Sequence, residues 1–291
     1  MWLTARTLHE ALAGKTLVDA DLRVPSLATV DLRGRRVIEV VPRGKHILIR
    51  LAAATRDATG DATGAAAGTR DAVAAAPLTL HSHLRMDGAW RVEPARTRGT
   101  GARRPVGRDD VRVVLTTPDV VALGRRVHDV ALLPTAREAE LVGHLGPDLL
   151  GPDWDAAEAV RRLRQRPQRP IGPALLDQRN LAGAGNVYKN EICFLRGVLP
   201  STPVGDVRDL PALVTTLQRL LEANRERYAH VTTGDPRPGH QVWVYDRAGR
   251  PCRRCATTIE SARQADEPAG DAADADPQAR ISWWCPHCQP G

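Results

Sequence analysis

The sequence predicts a multi-domain α+β chain: an N-terminal β-sandwich, a helical middle domain and a small C-terminal module closed around a metal ion. Three observations carry that reading. Apolar and β-branched residues alternate along most of residues 1–133, the pattern of half-buried strands. Beyond Pro134 the apolar spacing changes to that of helices. Near the C-terminus stand two Cys-x-x-Cys pairs, Cys252 with Cys255 and Cys285 with Cys288.

The first element departs from the strand pattern. Leu8, Ala11 and Leu12 recur at helical spacing over Thr4–Ala13, and Gly14 stands where a helix end favours glycine. Arg36 to Leu51 then alternates and reads as a hairpin turning at Arg43-Gly44, and Leu78–Leu84, Val111–Thr117 and Val127–Leu133 continue the strand character. Helices are expected over 137–145, 154–164, 173–179, 186–195 and 209–228, with a last strand over Gln241–Tyr245 beside the first cysteine pair. The expected domains are 1–133, 134–238 and 239–291.

Nothing in the 291 residues approaches the roughly 18 apolar residues of a membrane span, and no basic leader or apolar signal core opens the chain. A cytoplasmic protein without membrane contact is expected. The formal net charge of +7 favours a polyanionic partner. Two segments oppose it: 52–76 carries two arginines against three aspartates, and 259–279 one arginine against six acids. Both are Ala-, Gly- and Asp-rich and too poor in large apolar groups to offset the entropy of ordering them, so both are expected to be mobile insertions.

The two cysteine pairs have the spacing that closes four thiolates on one tetrahedral zinc ion, and a structural Zn2+ held by Cys252, Cys255, Cys285 and Cys288 is expected. Trp284-Cys285-Pro286-His287-Cys288 also has the form of a redox dithiol. Such a site opens a helix that lowers the thiol pKa, and only Gln289, Pro290 and Gly291 follow here. Cys193 sits on an apolar helix face and reads as a buried structural thiol. The basic run Arg161–Arg169 fits a solvated helix face and a phosphate track equally well.

Leu175-Leu176-Asp177-Gln178, followed by Ala182-Gly183-Ala184-Gly185-Asn186-Val187-Tyr188, reads as a helix, a glycine turn and a second helix start. Glycines let a backbone approach a ligand, and free amides at a helix start favour phosphate. Together with the four cysteines, this stretch resembles the formamidopyrimidine-DNA glycosylase and endonuclease VIII family of base-excision repair, in particular the actinobacterial second type of endonuclease VIII. Pro42-Arg43-Gly44-Lys45-His46, His83-Leu84-Arg85-Met86-Asp87-Gly88 and Gly143-His144-Leu145-Gly146-Pro147-Asp148 extend the resemblance over nearly the whole chain.

The resemblance implies a β-sandwich, a helix-two-turn-helix domain and a zinc finger. It implies a monomeric, nucleoid-associated DNA glycosylase and abasic-site lyase that takes double-stranded DNA containing oxidised bases or abasic sites. Asn186 would bind phosphate from the helix start, and Arg280 would be the finger's phosphate-gripping arginine. Lys45 matches the family's strand lysine, which contacts phosphate and assists β-elimination. Arg85 and Met86 lie where the family drives a wedge into the duplex. At Ala122-Leu123, where one branch carries a void-filling Arg-Phe pair, opposite-base reading is expected to be weaker or to use the Arg85 loop instead. The family's nucleophilic N-terminal proline and its neighbouring glutamate are absent from the chain as written, because Met1-Trp2-Leu3 leads straight into the first helix. The expectation is a reading frame that begins further upstream; the alternative is a DNA-binding relative without catalysis.

Overall fold

The computed structural model describes residues 1–53, 76–85, 87–95, 110–264 and 280–290. By their contacts these form two compact units, Met1–His144 and Leu145–Gly291.

In the first unit, helix α1 (Trp2–Leu12) buries Ala5, Leu8 and Leu12, the stripe its spacing predicts. Eight strands follow: β1 (Asp19–Leu22), β2 (Val37–Arg43), β3 (His46–Leu51), β4 (Leu78–His83), β5 (Ala89–Pro94), β6 (Val111–Thr116), β7 (Val120–Arg125) and β8 (His128–Pro134). They make two four-stranded sheets, ordered β1-β6-β7-β5 and β2-β3-β4-β8. Leu8 and Leu12 of α1, Ile47, Ile49 and Leu80 of one sheet, and Val113, Leu115 and Ala122 of the other share one core, so the unit is a β-sandwich into whose core α1 packs.

Alternation along β4 decides which side chains face that core. Leu78 and Leu80 belong to it, which turns Thr79, His81 and His83 to the opposite face. There Arg50 of β3 binds Glu39 at 2.7 Å and Glu138 at 2.6 Å, and the Thr79 hydroxyl donates to Glu138 at 3.0 Å. Glu138 leads into the short helix α2 (Ala139–Val142). Ala122 and Leu123 are buried in β7, so they are sheet residues rather than a loop able to fill a void in DNA.

The expected insertion 52–76 lies mostly outside the described residues, but its ends are ordered. The buried Arg35 donates from Nη1 to the carbonyls of Ala52 and Ala76, both at 2.9 Å, and Leu51 pairs with Leu78. The segment therefore joins two neighbouring antiparallel strands clamped at the root by one guanidinium.

The second unit opens with α3 (Ala156–Leu163), α4 (Ile171–Leu176), α5 (Asn186–Leu195) and α6 (Leu210–Asn224). Asp155 and Asp209 cap α3 and α6, accepting from the amides of Glu158 at 3.0 Å and Ala212 at 2.9 Å. Leu163, Leu175, Ile192, Leu213 and Leu217 share the helical core. Beyond α6, β9 (Glu260–Gln264) pairs antiparallel with β10 (Arg280–Trp284). A separate small core forms beneath them from Phe194, Val244, Ile259 and Trp283. Phe194, the only phenylalanine of the chain, stacks on Trp243 with ring centroids 5.4 Å apart. Trp283 is thus a packing residue of the finger.

Two expectations fail here. Gln241–Tyr245 is not a strand. The amides of Trp243, Val244 and Tyr245 all donate to the carboxylate of Glu191, at 2.7, 2.9 and 2.9 Å. A single buried acid takes the donors that a neighbouring strand would have taken. The segment 259–279 is also not an insertion throughout, because Glu260–Gln264 are β9; residues 265–279 lie outside the described residues. Its composition concealed a strand whose partner arrives only at Arg280.

Candidate nucleic-acid interface

Lys45 and Gly44 form the two-residue turn between β2 and β3, since Arg43 pairs with His46. Gly44 has φ +56, a left-handed conformation that suits glycine. The neighbours of Lys45 are the part that sequence reasoning missed. Cross-strand register sets His46 opposite His83 and His83 opposite His128. His46 Nδ1 and His81 Nε2 share a hydrogen bond of 2.7 Å, and the rings of His83 and His144 lie 4.7 and 6.4 Å from that of His46. Burial, reinforced by the other three rings, pushes His46 down to about 3, and burial lowers His81 and His83 too. Near neutral pH the turn that carries Lys45 therefore sits beside the uncharged imidazoles of His46, His81 and His83. The signal was present as His81-Ser82-His83, the i, i+2 spacing that puts two strand residues on one face.

Arg85 follows β4 with φ +49, and Asp129 also has φ +49. Arg85 binds both oxygens of Asp129, through Nη2 at 2.9 and 3.0 Å. The ion pair thus joins two non-glycine residues in the left-handed region, which such residues seldom adopt. Asp87 engages His128 at 3.2 Å. Met86, the expected wedge residue between them, lies outside the described residues.

In the second unit the glycine turn is built by Gln178. Its amide donates to the carbonyls of Leu176 and Ala184 at 2.8 and 3.1 Å, while its oxygen accepts from Gly183 N at 2.9 Å. Gly183 has φ +103, which a side chain adopts only with strain. The turn delivers Gly185 as the N-cap of α5 with no side-chain cap on the first amides. Asn186 opens that helix, and its side-chain amide donates to the carbonyl of Ile281 at 3.1 Å.

Strand β10 is further fastened to α5 by two successive polar residues, Lys189 and Asn190. Lys189 Nζ donates to Ser282 Oγ at 2.6 Å and to Ile281 O at 3.3 Å, and Asn190 Oδ1 accepts from Trp283 N at 2.9 Å. Lys189 is almost fully buried, and burial lowers it to about 8. These contacts hold Arg280, an exposed residue one position before Ile281, beside the start of α5. Asn186 and Arg280 are 94 positions apart in sequence, read from their numbers, and become neighbours through one carbonyl.

The thiols of Cys252, Cys255, Cys285 and Cys288 lie within 4.8 Å of one another. Cys255 Sγ is 3.4 Å from both Cys285 Sγ and Cys288 Sγ, and Cys252 Sγ is 4.0 Å from Cys288 Sγ. A tetrahedron with arms of about 2.3 Å has edges of about 3.8 Å, so the cluster fits one ion, while a disulfide requires about 2 Å. The fifth cysteine, Cys193, is fully buried on α5, and burial pushes its thiol up to about 12.

Comparison with known proteins agrees with this architecture. Residues 2–137 match the formamidopyrimidine-DNA glycosylase N-terminal domain, and residues 145–232 match the H2TH domain of the same proteins. The chain is 47% identical over 293 residues to a probable endonuclease 8 2 of Streptomyces coelicolor, covering 100% of this chain and 92% of that one. It is 41% identical over 286 residues to the DNA-(apurinic or apyrimidinic site) lyase Nei2 of Mycolicibacterium smegmatis, covering 98% and 95%. In fold it is similar to the Lactococcus lactis formamidopyrimidine-DNA glycosylase bound to DNA with an AP site, with TM-score 0.69, 20% identity and coverage of 99% and 96%. The chain belongs to the formamidopyrimidine-DNA glycosylase family, alongside the second-type endonuclease VIII proteins its motifs resemble.

Proposed function

We propose that this protein is a base-excision-repair DNA glycosylase and abasic-site lyase acting on oxidised bases in double-stranded DNA. The observation that carries the reading is the convergence of Asn186, at an uncapped helix start, with Arg280 on a strand pinned there by Lys189 and Asn190. Uncapped amides and an exposed guanidinium side by side form a receptor for consecutive backbone phosphates. Lys45 is assigned to phosphate contact and to assisting β-elimination, and Arg85 with Met86 to filling the space left by an extruded base. The four cysteines hold one structural Zn2+, which supplies no chemistry to the reaction and fixes the strands that present Arg280. Residues 1–133, 134–238 and 239–291 are assigned as catalytic-type, helical DNA-binding and finger domains of a monomer working at the nucleoid. No helix among the described residues is long and apolar enough to cross a membrane.

Two measurements on the 291-residue chain test the reading. Duplex containing an abasic site should bind more tightly than intact duplex. Asn186→Ala and Arg280→Ala should each weaken binding across sequences, and Arg280→Ala should lower the salt slope by about one. Borohydride trapping on abasic DNA then separates catalysis from binding. Loss of the trapped complex in Lys45→Ala, with binding retained, assigns the amine chemistry to Lys45. Equal affinity for damaged and intact duplex, unmoved by either phosphate-contact variant, would overturn the proposal.

A further inference from the structure

Lys189 fastens β10, but that task does not require a charge. The residue is 1% exposed, and its Nζ donates to Ser282 Oγ at 2.6 Å and to Ile281 O at 3.3 Å. Ser282 Oγ donates onward to Gln264 Oε1 at 2.7 Å, and Gln264 Nε2 donates to the carbonyl of Pro200 at 2.7 Å. This series of hydrogen bonds leads away from the ammonium and ends on a backbone carbonyl, with no acid along it. A neutral amide with its two donors would hold the same strand, whereas an ammonium in the interior is costly unless it meets an anion.

The described residues supply no such anion. Glu191, two positions on, accepts instead from the amides of Trp243, Val244 and Tyr245. Of the elements around Lys189, α4 carries no titratable side chain, β10 only Arg280, β9 Glu260 and Arg263, and α6 Arg219 and Glu222. The titratable group that acts on Lys189 is Cys193 of its own helix, and burial pushes that thiol up to about 12, which leaves it uncharged. The position is unfavourable in a second way. Lys189 is the fourth residue of α5, in the first turn, where the helix dipole disfavours a cation. A negative charge is what the place lacks, and it lacks it beside the phosphate contact, because Asn186 Nδ2 and Lys189 Nζ donate to the same carbonyl, that of Ile281.

We propose that Lys189 is a buried binding charge of the Asn186–Arg280 receptor, and that the DNA phosphate seated at the start of α5 is its counter-ion. The inference rests on the assignment of that receptor to DNA. Buried as it is, Lys189 acts through its field rather than by contact, and an interior charge is screened little by salt. Linkage runs both ways: an ammonium that favours the phosphate is favoured by it, so binding DNA draws a proton onto Lys189.

The test uses the full chain, an abasic duplex, and Lys189→Gln, which keeps a donor toward Ser282 and removes the charge. Burial brings Lys189 down to about 8 in the free chain, and a phosphate that raises it by about one unit makes affinity fall roughly tenfold as pH climbs from about 7 to 10. The parent should show that fall and Lys189→Gln a flatter profile, with weaker binding at about pH 7. Calorimetry at about pH 8.5 in buffers of different ionisation enthalpy should find about half a proton taken up per parent complex and none of it in the variant. A variant that binds as tightly as the parent, or that loses affinity but keeps the parent's pH profile, overturns the proposal, since Lys189 is then a pin alone. Proton uptake by the parent decides the matter even where the variant does not fold, and its absence overturns the proposal. Failure of the repair reading is distinct, because it appears in Asn186→Ala and Arg280→Ala, which would then leave binding unmoved.

Discussion

The Lys45 turn and the Asn186 helix start, the two phosphate contacts proposed above, are built by opposite means. Lys45 is surrounded by residues close in sequence or aligned by sheet register: His46 is its neighbour, and His81 and His83 come from the next strand. The Asn186 point is assembled across more than ninety positions by side chains reaching backbone, Asn186 and Lys189 to Ile281 and Asn190 to Trp283. Strand pairing makes the first point as robust as the sandwich itself. The second depends on the finger being closed, because among the described residues β10 has only β9 as a strand partner.

The largest expected effect follows from that dependence. Structural zinc contributes on the order of 10 kcal/mol to the folding of small finger modules. Cys285→Ser, or removal of the metal by a chelator, should release β10 and with it Arg280. One zinc per chain should be measured in the parent and none in the variant, and affinity for abasic duplex should fall at least tenfold. Hydrogen exchange in β2–β4 should stay unchanged. Protection lost equally in the sandwich would break the contrast between the two regions.

Glu191 should produce the next largest change. It is fully buried and receives three successive backbone amides together with the Thr232 hydroxyl. Glu191→Ala would strand those donors in the interior, at about 3–5 kcal/mol, the range for removing one partner of a buried charged network. Denaturant unfolding of the second unit, read through its tryptophans, should shift by that amount. Glu191→Gln, which can accept fewer of the bonds, should fall between. A loss under about 1 kcal/mol for the alanine variant would show that the segment finds other partners.

Glu191 also shows where sequence reading stops. The hydrophobic pattern of Gln241–Tyr245 is that of a strand, and nothing local reveals that its amides are claimed by an acid about fifty positions upstream. The same applies to β9, whose Glu-Ser-Ala-Arg-Gln composition carries no strand signal and which exists because Arg280–Trp284 pair with it. By contrast, α1 was legible because Ala5, Leu8 and Leu12 bury one face at helical spacing, and β3, β4 and α5 because the residue types and apolar spacing of their own segments favour those elements. The cysteine cluster was legible from spacing alone, since a tetrahedral ion demands two close pairs and little else. Gln178 was visible as a motif letter but not as the residue that folds the turn. The histidine row needed strand register as well as spacing, so only half of its signal lay in the sequence.

That histidine row supplies the smallest effect and the sharpest contrast with the helix start. Burial and mutual repulsion bring His46 from 6.5 to about 3 in the folded chain, so between those values the unfolded state holds a proton that the folded state refuses. Stability from this source is complete above about pH 6.5 and declines as pH drops toward 3. The groups facing His46 are His81, His83 and His144, with Asp129 opposing their effect and Lys45 and Arg85 acting on His83. One pH unit below 6.5 the loss should be on the order of 1 kcal/mol, discounted for partial exposure. Carboxylates lowered by arginine, such as Asp177, lose their contribution only below about pH 4, so the two windows separate. Melting at about pH 7, 6 and 5 should show the decline in the parent and a flatter profile in His46→Tyr, which keeps an aromatic ring and removes the titration. The second unit, followed by hydrogen exchange in α5, should hold steady across that range. A parallel decline there would mean that the imidazole row is not what makes the Lys45 region acid-sensitive.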